Sequence, residues 1–599
     1  MTTQHPLATD ATLLEQVAAW VECNWLRAID QQLAVFFQRD LAETCPLVLL
    51  AAALASHQLG RGHVCLDLTE TLENPNFALS MPPEGADNKA ALSPSALLAD
   101  VTLAQWQAAL QGSRLVQQGA AAGNAPLVLS DNLLYLRRYW DCEQRVARQI
   151  RTRLDRMTRV PETLQPPLNA LFPSHEVGGS DWQKVACALA ASGRFTLITG
   201  GPGTGKTTTV VRLLALLQEQ ALQATGHPLR IRLAAPTGKA AARLTESIGA
   251  QLASSQISDE VRQHIRGDVV TLHRLLGSRP DSRKFMHHAG HLLPLDVLVI
   301  DEGSMIDLSL MDSVLAALPP QARLILLGDK DQLASVDAGS VLGDLCRDAE
   351  HGYYSDETLT WLRAASGQPL QEAFLQPGRQ ALAQRTVMLR YSRRFGPDSG
   401  IGQLANAVNR CAVHEARGLL KSISFNDLQI LKPKEANDAR FQALLLQGRL
   451  PASTADATIQ GYAHYLTVMN EERPAAHCSA DAPEWEAWAA KVLRAFDQFR
   501  LLCVVRHGAW GVSGMNEQIQ ALLQRKGLLG GHSEQTWFEG RPVLVTRNDY
   551  GLGLMNGDIG ITLRMPKKGS AETESSFGLR VCFPRNDGSG TLNRVLPSR

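Results

Sequence analysis

Phe195-Thr-Leu-Ile-Thr199, Gly200-Gly-Pro-Gly-Thr-Gly-Lys-Thr207, Thr208-Thr-Val-Val-Arg-Leu-Leu-Ala-Leu-Leu217 decides the fold. Strand-prone residues lead into a glycine-rich turn, and a run with helical periodicity follows. The turn fits G-x-x-x-x-G-K-[ST] through Gly200, Gly205, Lys206 and Thr207. The spacing predicts a loop, Gly200, Gly201, Pro202, Gly203, Thr204 and Gly205, whose backbone N–H groups curl round a phosphate without Cβ clashes. Lys206 is expected to reach the β- and γ-phosphates, and Thr207 to offer its hydroxyl to Mg²⁺, with Thr208 completing the cradle. A helix starting near Lys206 adds its positive end to the same anion. The stretch therefore predicts a nucleoside-triphosphate site.

The composition sets the frame. A chain of 599 residues can hold three or four cores, and 45% hydrophobic with 20% charged residues is a soluble globular composition. No apolar run is long enough to span a bilayer, so no membrane role is expected. The N-terminus lacks the pattern of a signal peptide. Ten cysteines occur without a C-x-x-C pair, which argues against zinc, iron–sulfur and disulfide frameworks and fits the reducing cytoplasm. Basic and acidic residues balance at 59 each, so any nucleic-acid affinity must come from local grooves.

Upstream of the loop, residues 11 to about 125 read as helical, with Pro46 to Ala55 a buried helix and Ser56 and His57 in core or capping roles. Val64–Leu68 is a candidate strand, and Leu127–Leu129 with Leu133–Leu136 flank Ser130-Asp-Asn132 as a hairpin. Arginines at 145, 148, 156 and 159 recur at helical spacing. They suit a DNA-facing helix or a solvated or interdomain face, and the lack of interleaved aromatics in the later part favours the second. Prolines and glycines from Pro161 to Gly179 mark a boundary.

Downstream, strands and helices alternate, which predicts a parallel sheet with its functional loops at the strands' carboxyl ends. Gln183 could read adenine through its amide. Ile231–Ala235 ends in Pro236-Thr-Gly-Lys-Ala240; Asp296–Ile300 ends in Asp301-Glu302; Arg323–Leu327 ends in Gly328-Asp-Lys-Asp-Gln332. Asp301 is placed to hold Mg²⁺, Glu302 to activate the attacking water, and Gln332 to sense the γ-phosphate. Leu501–Val505 reads as a buried strand with Arg506 at its end, either a DNA contact or surface charge. From about 536, Arg541–Thr546, Gly560–Arg564, Leu579–Phe583 and Leu592–Leu596 read as short strands, with Asn556-Gly557 as a turn.

The set Gly200–Thr207, Ala235–Leu244, Thr271–Gly277, Asp301-Glu302 and Gly328–Gln332 resembles the ordered motifs of superfamily 1 helicases. Ala235–Leu244, Leu327–Gly339 and Arg393–Leu404 are similar to the RecD subunit of the bacterial RecBCD enzyme, exonuclease V. The resemblance implies an ATP- and Mg²⁺-dependent 5′→3′ single-stranded-DNA translocase and helicase. It implies RecB and RecC as partners, and single- and double-stranded DNA ends as substrate. It also implies Gln183 as the adenine reader, Arg394 as a γ-phosphate arginine, and Pro236, Thr237, Thr271 and His273 as DNA-groove residues.

Gly303 departs from the family's usual alanine. The expected fold class is α/β, with two RecA-like P-loop domains, a helical N-terminal domain and a small SH3-like β-barrel. The expected boundaries are 1–125 partner-binding, 126–179 connector, 180–355 first motor domain, 356–530 second and incomplete motor domain, and 531–599 barrel. Motifs V and VI, expected beyond the barrel, do not occur, so the chain is expected to be truncated before them. The alternative is a structural subunit that binds ATP without motor activity. No nuclease constellation of clustered carboxylates with a lysine is present.

Overall fold

A computed structural model describes residues 6–83, 91–119, 123–154, 164–173, 179–254, 257–279, 282, 284–333, 335, 337–376, 381–422, 425–449, 460–475, 478–479, 481–530, 536–549, 551–567, 577–585 and 591–597. The chain divides into two compact units, the first Met1–Pro236 with Gln251–Tyr391, the second Thr237–Ala250 with Ser392–Arg599.

Unit 1 begins with a helical core. The Pro46–Gly60 helix is buried on every face from Val48 to Gln58, because neighbouring helices, among them Asp10–Glu22 and Ala28–Leu41, cover it. Its polar residues are satisfied inside: Ser56 donates to Asp30 at 2.7 Å, and His57 Nε2 meets the Leu79 carbonyl at 2.9 Å. Both keep the core roles expected of them.

Strands β1 (Cys65–Asp67), β2 (Val116–Gln118), β3 (Leu127–Ser130) and β4 (Leu133–Leu136) form a sheet in the order β1-β4-β3-β2. The β3–β4 hairpin turns at Asp131, whose φ is +51°. Since β2 pairs with β3, the chain from 127 to 136 belongs to the N-terminal sheet and not to a connector starting at 126.

The Arg137–Leu154 helix then leaves this sheet and packs Cys142, Val146 and Ile150 into the next core. Arg145 pairs with Asp312 at 2.7 Å. Arg153 is 1% exposed and donates to the carbonyls of Leu318 at 3.1 Å and Pro319 at 3.4 Å. Of the stripe, Arg145 thus meets the Leu308–Ala317 helix and Arg148 is exposed; Arg156 and Arg159 lie outside the described residues.

The central sheet comprises β5 (Phe195–Gly200), β6 (Ile231–Ala235), β7 (Val269–Thr271), β8 (Val297–Ile300), β9 (Arg323–Gly328) and β10 (Thr386–Leu389), in the order β10-β5-β9-β8-β6-β7. Every pairing is parallel. Helices cover the sheet, so β5 and β8 are buried throughout, and β8 reads as an unbroken apolar run. A parallel sheet turns all its strand ends one way, which gathers the motif-bearing loops along one edge. The strand at 386–389 completes this sheet, so residues 356–391 still belong to the first unit.

Unit 2 holds the helices Gly400–Asn409, Val413–Lys421, Ala439–Gln447, Tyr462–Glu471, Pro483–Phe496 and Val512–Arg525. Strands β11 (Pro542–Leu544), β12 (Ile559–Pro566), β13 (Phe577–Pro584) and β14 (Leu592–Val595) follow as an antiparallel meander. Gly557, with φ +92°, donates to Val545 and turns the chain into β12, as the Asn556-Gly557 signal anticipates. Ile561, Leu563 and Cys582 of the sheet share a core with Trp485 and Trp488.

One expected strand is not formed. Leu501–Val505 carries no strand, and Leu502 and Val504 are 89% and 102% exposed. Strand propensity needs a neighbour to accept its N–H groups, and no described strand lies beside this segment. Among the described residues unit 2 contains no parallel sheet.

Candidate nucleotide site at the carboxyl edge of the parallel sheet

The phosphate loop leaves β5 at Gly200, which pairs with Leu389 of β10, while the preceding Thr199 pairs with Gly328 at the end of β9. Gly203 and Gly205 hold φ of +76° and +82°, conformations that favour glycine. A Cβ on Gly205 would also lie 2.1 Å from the Gln183 amide nitrogen. Thr204 is buried and folds back onto the Gly201 carbonyl at 2.8 Å.

The Lys206–Thr225 helix starts with no side-chain cap, which leaves its first-turn N–H groups directed at the loop. Lys206 Nζ donates to the carbonyls of Gly200 at 2.6 Å and Gly201 at 3.3 Å. Its ammonium therefore hangs over the loop's entrance. Thr207 and Thr208 are half-buried in the first helical turn.

Asp301 follows β8 directly and its N–H donates to Ala234 at 3.0 Å. Its Oδ1 is buried without a hydrogen-bond partner among the described residues. Burial pushes the carboxyl up to about 6; the Glu302 charge pushes the same way, while the Glu302 N–H and Lys206 pull it down. A buried carboxylate with an orphaned oxygen beside an anion cradle suits a small hard cation. Among the described residues no cluster of three or more His, Cys, Asp or Glu could hold a metal. Glu302 sits at φ +53°, a left-handed conformation costing about 1–3 kcal/mol in a residue with a side chain.

The loop after β9 is fixed by Asp329, 4% exposed, whose carboxylate accepts from the Asp331 N–H at 3.1 Å and from Gln332 Nε2 at 3.2 Å. Lys330 N–H donates to Thr199 of β5, so the Gln332 loop and the phosphate loop share a support. Asp329 was not among the residues the sequence singled out. Its signal was the Gly328-Asp-Lys-Asp-Gln332 run itself, in which one acid is needed to hold the turn.

Gln183 stands on the Trp182–Ser192 helix, capped by Asp181. Its amide donates to Thr204 O at 3.1 Å and Gly205 O at 3.4 Å, so it grips the loop's backbone. Pro236 follows β6 on the same edge, and Thr271 ends β7 with its hydroxyl accepting from Arg274 N–H at 3.2 Å. His273 is exposed, its ring edge-on to Phe285 at 5.8 Å.

Unit 1 thus gathers Gln183, the loop, Lys206, Thr207, Asp301, Glu302, Gln332, Pro236, Thr271 and His273. Thr237, Arg394 and Arg506 belong to unit 2. Thr237 caps the Gly238–Ser254 helix, its hydroxyl accepting from Ala240 at 3.2 Å. Arg394 is exposed before the Gly400–Asn409 helix, and Arg506 is exposed in a bend instead of ending a strand.

A glycine-rich phosphate-loop motif, a strand-end acidic pair and a glutamine on the next strand's loop, all on one parallel sheet, define a P-loop nucleoside triphosphatase of the α/β class. Comparison with known proteins narrows this. Residues 183–338 match an AAA domain, and residues 22–135 match the N-terminal domain of RecBCD enzyme subunit RecD. RecBCD enzyme subunit RecD of Haemophilus influenzae is 34% identical over 526 residues, covering 86% of this chain and 78% of that one. The same subunit of Mycobacterium tuberculosis H37Rv is 37% identical, covering 87% and 74%. An ATP-dependent RecD2 DNA helicase of Deinococcus radiodurans is 39% identical over 185 residues, 29% of this chain and 22% of that one. The chain belongs to the RecD family of RecBCD enzyme subunits.

Proposed function

We propose that the chain is the ATP-driven DNA helicase subunit of a RecBCD-type complex, moving 5′→3′ on single-stranded DNA from double-strand breaks in the cytoplasm. The observation that carries the reading is the buried, orphaned Asp301 oxygen on the strand edge that also holds Lys206. Mg²⁺ would be held by Asp301, through water, and by the Thr207 hydroxyl; when bound it neutralises phosphate charge.

The chain's own residues do the rest. The loop N–H groups and Lys206 bind and orient the triphosphate, and Gln183 fixes the loop and reads adenine. Glu302 orients the attacking water and takes its proton, and Gln332 senses the γ-phosphate. Arg394 meets the developing charge, a role worth 10³ to 10⁵ in rate for a transition-state arginine, roughly 4 to 7 kcal/mol. Pro236, Thr237, Thr271, His273 and Arg506 are the DNA contacts. Residues 1 to about 160 dock on RecC, with RecB completing the heterotrimer.

A duplex with a 5′ single-stranded tail, incubated with ATP and Mg²⁺, should open, and a 3′-tailed duplex should not. Equal opening of both, or of the 3′-tailed one alone, would overturn the assigned direction.

One observation favours a second reading, an ATP-binding structural subunit without motor activity. Leu502, Val504 and Val505 stand exposed where a strand was expected, and the described part of unit 2 has no parallel sheet. Tight binding of ATP with no DNA-stimulated hydrolysis would select that reading.

A further inference from the structure

Immediately after β10, Arg390 enters an aromatic corner. Its guanidinium lies 4.6 Å from the ring centre of Trp182 and 4.6 Å from that of Phe374. The two rings meet edge-to-face at 5.0 Å. The same guanidinium donates to the carbonyls of Glu350 at 2.5 Å and Ala349 at 3.4 Å. Its Nε is buried with no partner among the described residues, so the side chain is fixed by the rings and the two carbonyls. The corner is itself braced: Tyr354 N–H donates to Phe374 O at 2.8 Å, and Tyr354 OH to Thr386 O of β10 at 2.8 Å.

Two features give this corner a place in the nucleotide site. Trp182 opens the helix on which the next residue, Gln183, grips Thr204 and Gly205 of the phosphate loop. Arg390 directly follows Leu389, which pairs with Gly200, the first residue of that loop. A Cβ on Gly200 would come within 2.9 Å of the Leu389 Cβ, so β10 and the loop touch without slack. Beyond Arg390 the chain leaves unit 1 at Tyr391 and enters the segment carrying Arg394. The guanidinium therefore joins the helix that holds the loop to the strand end from which the crossover departs. A surface arginine would make no such set of contacts: cation–ring packing on two rings requires the planar group to be held in one pose.

We propose that Arg390 is a positioning residue that ties the crossover at residues 386–394 to the state of the phosphate loop, so that triphosphate binding orders the chain on its way to Arg394. The proposal rests on the reading of the loop as an ATP site. Binding at the loop N–H groups and Lys206 would tighten Gly200–Gly205. Gln183 and Leu389 would follow, and Arg390 passes the restraint to the backbone that follows it.

The test is hydrogen–deuterium exchange on the whole chain, with and without a non-hydrolysable ATP analogue and Mg²⁺, comparing the parent with Arg390→Met and Arg390→Lys. In the parent the analogue should slow exchange at residues 200–207 and also at 386–394. In Arg390→Met the protection at 200–207 should remain, while that at 386–394 falls by about 2- to 30-fold, the range that cation–ring contacts supply. Arg390→Lys keeps the charge without the planar group and should retain part of the effect, which also covers the case in which the methionine variant misfolds.

A merely structural arginine would lower the variants' melting temperature and leave the nucleotide-dependent difference unchanged. That result, full retention in Arg390→Lys, or protection confined to 200–207 in the parent, would overturn the proposal. No protection at 200–207 in the parent would instead overturn the ATP reading on which it stands.

Discussion

Lys206 donates to two loop carbonyls, Gly200 at 2.6 Å and Gly201 at 3.3 Å. Carbonyls satisfy its hydrogens but not its charge, and a triphosphate satisfies both. Lys206→Gln should therefore leave the fold intact and weaken binding of an ATP analogue by about 1.5–3 kcal/mol, roughly 10- to 150-fold. Equilibrium titration with a fluorescent analogue and Mg²⁺ reads this directly; equal affinity of variant and parent would remove Lys206 from the site. The residues of this loop were legible in the sequence because their chemistry is local. Glycine at positive φ, lysine and threonine follow one another within a single turn. Asp301-Glu302 was legible for a related reason: two acids at the end of an apolar run have few bland explanations once a phosphate loop precedes them. What the sequence could not give was the partner of each group. That Gln183 grips Thr204 and Gly205, or that Arg390 meets Trp182 and Phe374, depends on strands far apart in the chain.

At the scale of elements, two helices invite measurement. Arg153 sits at the end of the Arg137–Leu154 helix and donates to the carbonyls that follow the Leu308–Ala317 helix. Arg153→Ala strips buried carbonyls of a charged donor and should cost about 2–4 kcal/mol. Urea unfolding would show a lower midpoint for the transition of unit 1, and an unchanged midpoint would mean that the helix is held by its apolar face alone.

In the Pro46–Gly60 helix, burial holds the His57 imidazole below its ordinary value of 6.5, against smaller upward pulls from the Leu79 carbonyl and Asp30. The unfolded chain then takes up the proton more readily than the folded one. Stability is fully present above about pH 6.5 and falls as the pH drops from there through the folded-state value. His57→Gln keeps a donor for Leu79 and should flatten that slope between pH 7.5 and 5.5; an equal slope in both proteins would show that His57 does not carry it.

Element types were mostly legible from apolar period, as at the Asp131 turn and the β11–β14 meander. Leu501–Val505 was not, since its apolar run describes a strand only if a neighbouring strand accepts it. The pairing of β2 with β3 escaped for the same reason, being parallel and set by contacts no local pattern encodes.

At the scale of the molecule, unit 1 brings the P-loop, the acidic pair, the Gln332 loop and the start of the crossover to one edge of a six-stranded parallel sheet. The N-terminal helical core reaches that sheet through the Arg137–Leu154 helix, and its Gly62 carbonyl accepts from Gly339 N–H at 3.0 Å, beyond the Gln332 loop. No helix among the described residues is long and apolar enough to cross a membrane. Family membership and site geometry converge on one activity, nucleotide hydrolysis driven from this edge and coupled to DNA. The most direct test is the steady-state rate of phosphate release from ATP and Mg²⁺, with and without single-stranded DNA, for the parent chain and for Lys206→Gln. Hydrolysis that rises on addition of single-stranded DNA and vanishes in Lys206→Gln is the predicted result. Hydrolysis that ignores DNA, or that survives in Lys206→Gln, would contradict it.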